Sequence, residues 1–233
     1  MNKNLIFKLI IICIGCVIYL IPGKNYMYEN NSLVKQKASK QEIQQLLDAV
    51  ERDKKIYKEL FAAGEFNKPS YNPIMKQCHE ENADILEHFL NKYGWPFEKD
   101  YGIEAHEAAW FIAIHAISRP DLIKKVAKIM HDAWKAGKIS GKYYANFYDR
   151  IELYVGRKQF YGTHLYPSKT GWYAGDLKDP ETVNERRAAL GLQSLEDWIA
   201  ESEQEGSGVV SDVNEEAYQK EFDAWCKETG WRK

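Results

Sequence analysis

The chain opens on an apolar run, crosses a polar stretch, and then settles into apolar positions three and four residues apart. Leu5 to Ile21 is interrupted only by Lys8 and Gly15. As a helix its seventeen residues would rise about 25 Å, near the short end for a bilayer core. Lys8 would snorkel at one end, Tyr19 would sit at the other interface, and Pro22-Gly23 would stop the helix. A retained anchor over 1–23 therefore fits better than a cleaved signal, because Ile21-Pro22-Gly23-Lys24 is a poor cleavage site. Ile14-Gly15-Cys16 matches a lipoprotein signal only loosely, since the apolar run continues past the Cys.

Residues 24–40 are polar and read as a linker. Ile43, Leu46, Leu47, Val50, Ile56, Leu60 and Phe61 then recur at helical spacing, which predicts an amphipathic helix over Gln41–Ala63. Asn72-Pro73 combines an N-cap acceptor with a proline fixed near helical φ, and predicts a second helix ending before Gly94-Trp95-Pro96. A third is expected from Ile103 through His115, a fourth over Asp121–Ala136, and a fifth over Lys142–Tyr154. From Val155 to Pro180 glycines, prolines and aromatics break the period, so an ordered loop or short hairpin fits better. Asp179-Pro180 reads as another cap, opening a helix through Leu190, with a short one near Leu195–Ala200. Glu201–Asn214 reads as a linker before a helix over Glu215–Glu228, stopped by Gly230. The expected fold is mainly α. It comprises a single helical domain over 41–200 with an irregular Gly/aromatic-rich loop, preceded by one transmembrane helix and followed by a linker and C-terminal helix over 201–233.

Composition adds two constraints. A hydrophobic share of 45% excludes global disorder, and a net charge of −2 gives no push toward nucleic acid. The charge is uneven: residues 1–40 hold six Lys against Glu29 alone, whereas the remainder carries an excess of seven acids. Such a basic leader suits a membrane-anchored protein. Lys3 and Lys8 ahead of the apolar run favour an inside N-terminus and a domain outside the cytoplasm, with Lys24, Lys35 and Lys37 beyond the run pulling the other way. Cys13 and Cys16 fall in the apolar run, while Cys78 and Cys226 are left in the domain as a disulfide or as thiols.

Gly94-Trp95-Pro96, His115-Ala116, Asp149-Arg150, Gln159-Phe160-Tyr161-Gly162-Thr163 and Glu185-Arg186-Arg187 occur in an order that resembles a bacterial family of uncharacterised domains, domain of unknown function 6624. The resemblance covers roughly 41–192 and implies no established activity. Three positions depart from the family pattern. Ile114-His115-Ala116-Ile117 stands where Gln-His-Ala-Asp is usual, and His164 stands where Gln follows Gly-Thr.

The chemistry-bearing residues are few. His106-Glu107-Ala108-Ala109-Trp110 lacks the second histidine of a zinc helix, so no metal is expected there. Cys78-His79 are adjacent, their side chains diverge on a helix, and no orienting group is visible. No phosphate loop or basic aromatic stripe is present, and no cofactor is expected. His115 shares a helix face with Glu104, three turns away. Arg150 and Arg187 lie on otherwise apolar stripes, where a guanidinium needs an anion, carbonyls or a route to solvent. Gln159, Tyr161 and Thr163 alternate, and would share one face if extended. Together these six residues form the expected polar centre of a module that recognises an anionic small molecule or an envelope protein. The alternative is a hydrolase or group-transfer enzyme with His115 as acid or base. The structural alternatives are a satisfied core position for His115, internal salt bridges of Arg150 and Arg187 with Asp149 and Glu185, and pinning of the loop to the helical body by Gln159, Tyr161 and Thr163.

Overall fold

The computed structural model describes residues 37–65, 71–168, 171–205 and 215–233. The apolar run Leu5–Ile21, its two cysteines and the stretch 206–214 lie outside them. Among the described residues no helix is long and apolar enough to cross a membrane.

The fold is mainly helical. In chain order come α1 (Lys40–Ala62), α2 (Pro73–Tyr93), α3 (Glu98–Tyr101), α4 (Ile103–His115), α5 (Pro120–Lys135) and α6 (Gly141–Tyr154). A hairpin of β1 (Tyr166–Ser168) and β2 (Gly171–Tyr173) follows, then α7 (Val183–Ala189), α8 (Leu195–Glu205) and α9 (Glu215–Glu228). Helix starts follow local chemistry. Asn72 accepts from the backbone N–H of Ile74 at 2.9 Å and Met75 at 3.3 Å. Ser39 and Glu42 form a reciprocal capping box on α1.

α4 is the central rod. It is apolar nearly all round, with Ala105, Ala108, Ala109, Ile112, Ala113 and Ile114 all buried, as expected of a helix surrounded by others. Its alanines let α1, α2, α5 and α6 approach closely. Leu46, Leu86, Ile123, Met130 and Phe147 fill the space around it, each such burial stabilising by about 2 kcal/mol.

Several expectations require correction. The four-residue α3 was not foreseen, because a single turn carries no readable period. Asp179 does not cap through its side chain. It sits at φ +43° and feeds a 3-10 turn, Pro180–Thr182, that leads into α7. α8 runs on to Glu205, since its last turn is polar but still helix-forming. Beyond it, α9 and the C-terminal tail belong to the main core. Cys226 and Trp231 are buried there, Trp231 Nε1 donates to the Ile117 carbonyl at 2.7 Å, and Arg232 donates to the carbonyls of Leu153 and Tyr154.

The segment after α6 is not extended. Gly162 at φ +64° turns the chain, so Gln159, Tyr161 and Thr163 do not share a strand face. A buried carboxylate holds this turn. Asp149 on α6 accepts from the backbone N–H of Phe160 at 2.7 Å, Tyr161 at 3.0 Å and Thr163 at 2.9 Å, and from the Thr163 hydroxyl at 3.0 Å. Burial raises the Asp149 carboxyl above its ordinary value, against the pull of those four donors. The Gln159 amide donates to the carbonyls of His164 and Ala174, while its oxygen accepts from His164 N–H. Behind them, β1 pairs antiparallel with β2, Tyr166 facing Tyr173.

Replacing Asp149 with Ala would leave three backbone N–H groups without an acceptor. We expect a loss of about 3 kcal/mol in denaturant unfolding. Amide exchange should accelerate across 155–178 well before it does in α4.

Candidate functional site

Five elements bring polar side chains to one place. On α1 the core-facing stripe is Leu46, Ala49, Val50, Asp53 and Leu60, so helical spacing alone turns Asp53 inward. On α2 the same logic buries His79 with Met75, Cys78, Asn82 and Leu86. The two meet: His79 Nε2 lies 2.9 Å from Asp53 Oδ2, and the residues are only 8% and 4% exposed. On its other side His79 Nδ1 is hydrogen-bonded to the hydroxyl of Tyr71, the residue just before the Asn72 cap.

His115, the last residue of α4, stacks on His79 with ring centroids 5.2 Å apart and takes the edge of Phe111 at 4.3 Å. Arg150 on α6 donates from Nη1 to the Tyr154 hydroxyl at 3.3 Å. The Tyr154 ring packs on Trp225 of α9 at 5.7 Å, and Trp225 meets Tyr71 edge-on at 5.8 Å. Tyr71, His79, His115, Arg150, Tyr154 and Trp225 thus form one polar-aromatic cluster, with Asp53 behind it.

The electrostatics follow from burial and from Arg150. Desolvation and the nearby guanidinium hold the His115 imidazole down to about 3. The same two causes hold His164, at the end of the pinned turn, down to about 3. Both rings are neutral at pH 7. Burial also raises the Tyr71 phenol well above its ordinary value. Among the described residues Arg150 joins no ion pair. Its Nε, His115 Nδ1 and Trp225 Nε1 are buried polar atoms without a hydrogen-bond partner.

A cleft of about 960 Å³ opens beside this cluster, lined by Val50, Lys54, Phe111, Asn146, Thr163 and Trp198 among others. Phe111 and Asn146 precede His115 and Arg150 by one helical turn on their helices, so cleft and cluster are neighbours along α4 and α6.

The six residues expected to form one polar centre fall into two groups. His115 and Arg150 belong to the cluster. Gln159, Tyr161, Thr163 and Arg187 belong to the pinned turn, where Arg187 donates from Nε to the Gln193 carbonyl at 2.7 Å and from Nη1 to the Tyr161 carbonyl at 2.7 Å. Carbonyls satisfy that guanidinium, and of these four residues Thr163 and Arg187 also line the cleft. Asp53, Tyr71, His79 and Trp225 were missed. The readable signal was a carboxylate on the apolar stripe of α1. The orienting partner that Cys78-His79 lacked locally comes from 26 residues upstream.

Other candidates resolve structurally. His106 is a core residue that accepts from Trp95 Nε1 at 3.0 Å and meets the Tyr143 ring at 4.8 Å. Cys78 and Cys226 are buried free thiols, and burial pushes Cys226 up to about 11. Among the described residues no three His, Cys, Asp or Glu side chains converge as metal ligands.

Two enclosed neutral imidazoles make stability depend on pH. Their folded pKa values lie below the ordinary 6.5, so the unfolded chain binds more protons between 6.5 and about 3. Their contribution is complete above that window and is lost as pH falls through it, at roughly 1.4 kcal/mol per pH unit for each ring. Urea unfolding at pH 7, 6 and 5 should show this decline, and His115→Gln should flatten it.

No curated protein and no solved structure matches this chain. A family model does match, and its span takes in α1 to α8, with Asp53, Tyr71, His79, His115 and Arg150 inside it and Trp225 beyond. The chain belongs to the family of unknown function DUF6624, over residues 40–209.

Proposed function

We propose that this domain is a binding module for a small oxyanion, a molecule carrying a carboxylate or phosphate, received at Arg150. The observation that carries the reading is a set of buried donors with no acceptor. Arg150 Nε–H and Trp225 Nε1–H can only donate, and His115 Nδ1 donates in one of its two neutral tautomers. The Arg150 guanidinium is half-buried, and its enclosed Nε–H has no acceptor; an anion would supply one with charge-assisted hydrogen bonds. The adjoining cleft gives room for the remainder of the molecule. Tethering through Leu5–Ile21, with the domain outside the cytoplasm, is part of the same proposal and rests on the length and polarity of that run.

The full-length protein in detergent should melt at a higher temperature in inorganic phosphate or succinate than in chloride of equal ionic strength, by mass action on the folded state. Arg150→Gln should abolish the difference, weakening binding roughly tenfold or more. Equal melting in all three salts would overturn the reading. For the tether, the full chain should stay with membranes after alkaline carbonate washing, and a chain lacking 5–21 should be released. Release of both would remove the anchor from the proposal.

A further inference from the structure

Tyr71, His79 and Asp53 stand in the order phenol, imidazole, carboxylate: the phenol is hydrogen-bonded to the imidazole, and the other ring nitrogen lies 2.9 Å from Asp53 Oδ2 in an ion-pair contact that is not aligned as a hydrogen bond. The Asp53 carboxylate beside Nε2 favours the proton on that nitrogen, which leaves Nδ1 as an acceptor, and its partner there is the Tyr71 hydroxyl. A core histidine needs only one such partner to be satisfied. Here the Tyr71 hydroxyl engages one nitrogen, and the carboxylate charge 2.9 Å from the other favours the tautomer that can take a proton from Tyr71. The relay faces the Arg150 cluster: His115 stacks on His79, and Trp225 lies against Tyr71.

From this arrangement we infer that Tyr71 is a nucleophile activated by His79 as general base, and that the domain transfers or hydrolyses a phosphate ester. Asp53 is a positioning residue that holds the imidazole and stabilises its protonated form. The Tyr71 oxygen attacks phosphorus while its proton passes to His79 Nδ1. The bond from phosphorus to the leaving alcohol oxygen breaks, and that oxygen takes the proton from His79. Water then attacks the phosphotyrosyl ester and gives its proton to His79, which returns it to the departing phenol oxygen. The sum is ester plus water to phosphate plus alcohol. Burial keeps Tyr71 protonated at rest, so attack requires the base, as it does for a catalytic serine. The choice of a phosphoryl group rests on the anion reading above; the relay does not.

The test is labelling of the full-length protein by diisopropyl fluorophosphate, a neutral phosphorus electrophile, with the modified residue found by peptide mass spectrometry. In that reaction the phenol oxygen displaces fluoride and His79 takes the proton. Tyr71 should label selectively among the fifteen tyrosines, and His79→Gln should slow this roughly 100-fold, the usual worth of a general base. Asp53→Asn should shift the pH profile of labelling. Labelling of Tyr71 no faster than other tyrosines, or unaffected by His79→Gln in folded protein, would overturn the relay. If the His79 variant does not fold, the wild-type profile decides. Base-assisted attack levels off once the imidazole is neutral, whereas a rate that climbs with hydroxide throughout the alkaline range is that of an unassisted phenol. Labelling without phosphate binding would retain the relay and remove the anion site, and binding without labelling the reverse.

Discussion

A buried carboxylate with four donors around it sets the geometry of much of this domain. Asp149 projects from α6 into the turn that follows it, and every group it meets there gives a hydrogen bond. The turn can adopt its sharp course through Gly162 only because its backbone N–H groups find that acceptor. Gln159 and Arg187 then complete the pinning from the other side, through carbonyls. Removing the carboxylate would strand donors that no solvent reaches, which is why one side chain can govern two dozen residues.

The same constraint reaches the candidate site. Asp149 and Arg150 are consecutive on α6, so their side chains diverge by about 100°. Locking Asp149 into the turn fixes the rotation of α6 about its axis and thereby aims Arg150 at the cluster of His115, His79 and Tyr71. The turn also delivers His164, whose Nε2 lies 3.2 Å from the Asn146 carbonyl, to the neighbourhood of the same guanidinium. Orphaned donors and suppressed imidazoles are a departure from the consistency seen elsewhere in the fold. Such departures are expected where a protein binds or reacts rather than merely packs.

Ile114, Ile117 and His164 play different structural parts around the site. Ile114 is 3% exposed and fills the core, and Ile117 packs against it, so both belong to the apolar setting around His115. His164 keeps its polar connections, through its backbone to Gln159 and through its ring to Asn146. Apolar neighbours thus flank His115, and His164 sets another neutral imidazole near Arg150.

The helical frame was legible in the sequence because its signals are local. A capping asparagine, a proline at the first turn and apolar residues three and four apart name α2 without help from any distant residue, and α1, α4, α5 and α6 follow in the same way. Single turns and the end of α8 were less visible, since a turn has no period and a polar helix end resembles a linker. The site divides similarly. His115 and Arg150 stood out as polar residues in apolar surroundings, and the aromatic glycine-rich segment was recognisable as irregular. Which polar groups meet was not recoverable, because Asp53, Tyr71, His79, His115, Arg150 and Trp225 come from α1, α2 and the residue before it, α4, α6 and α9. Sequence determines which face each helix buries; only the packing of those faces decides that a carboxylate on one helix orients an imidazole on the next, since that depends on distances between segments far apart along the chain.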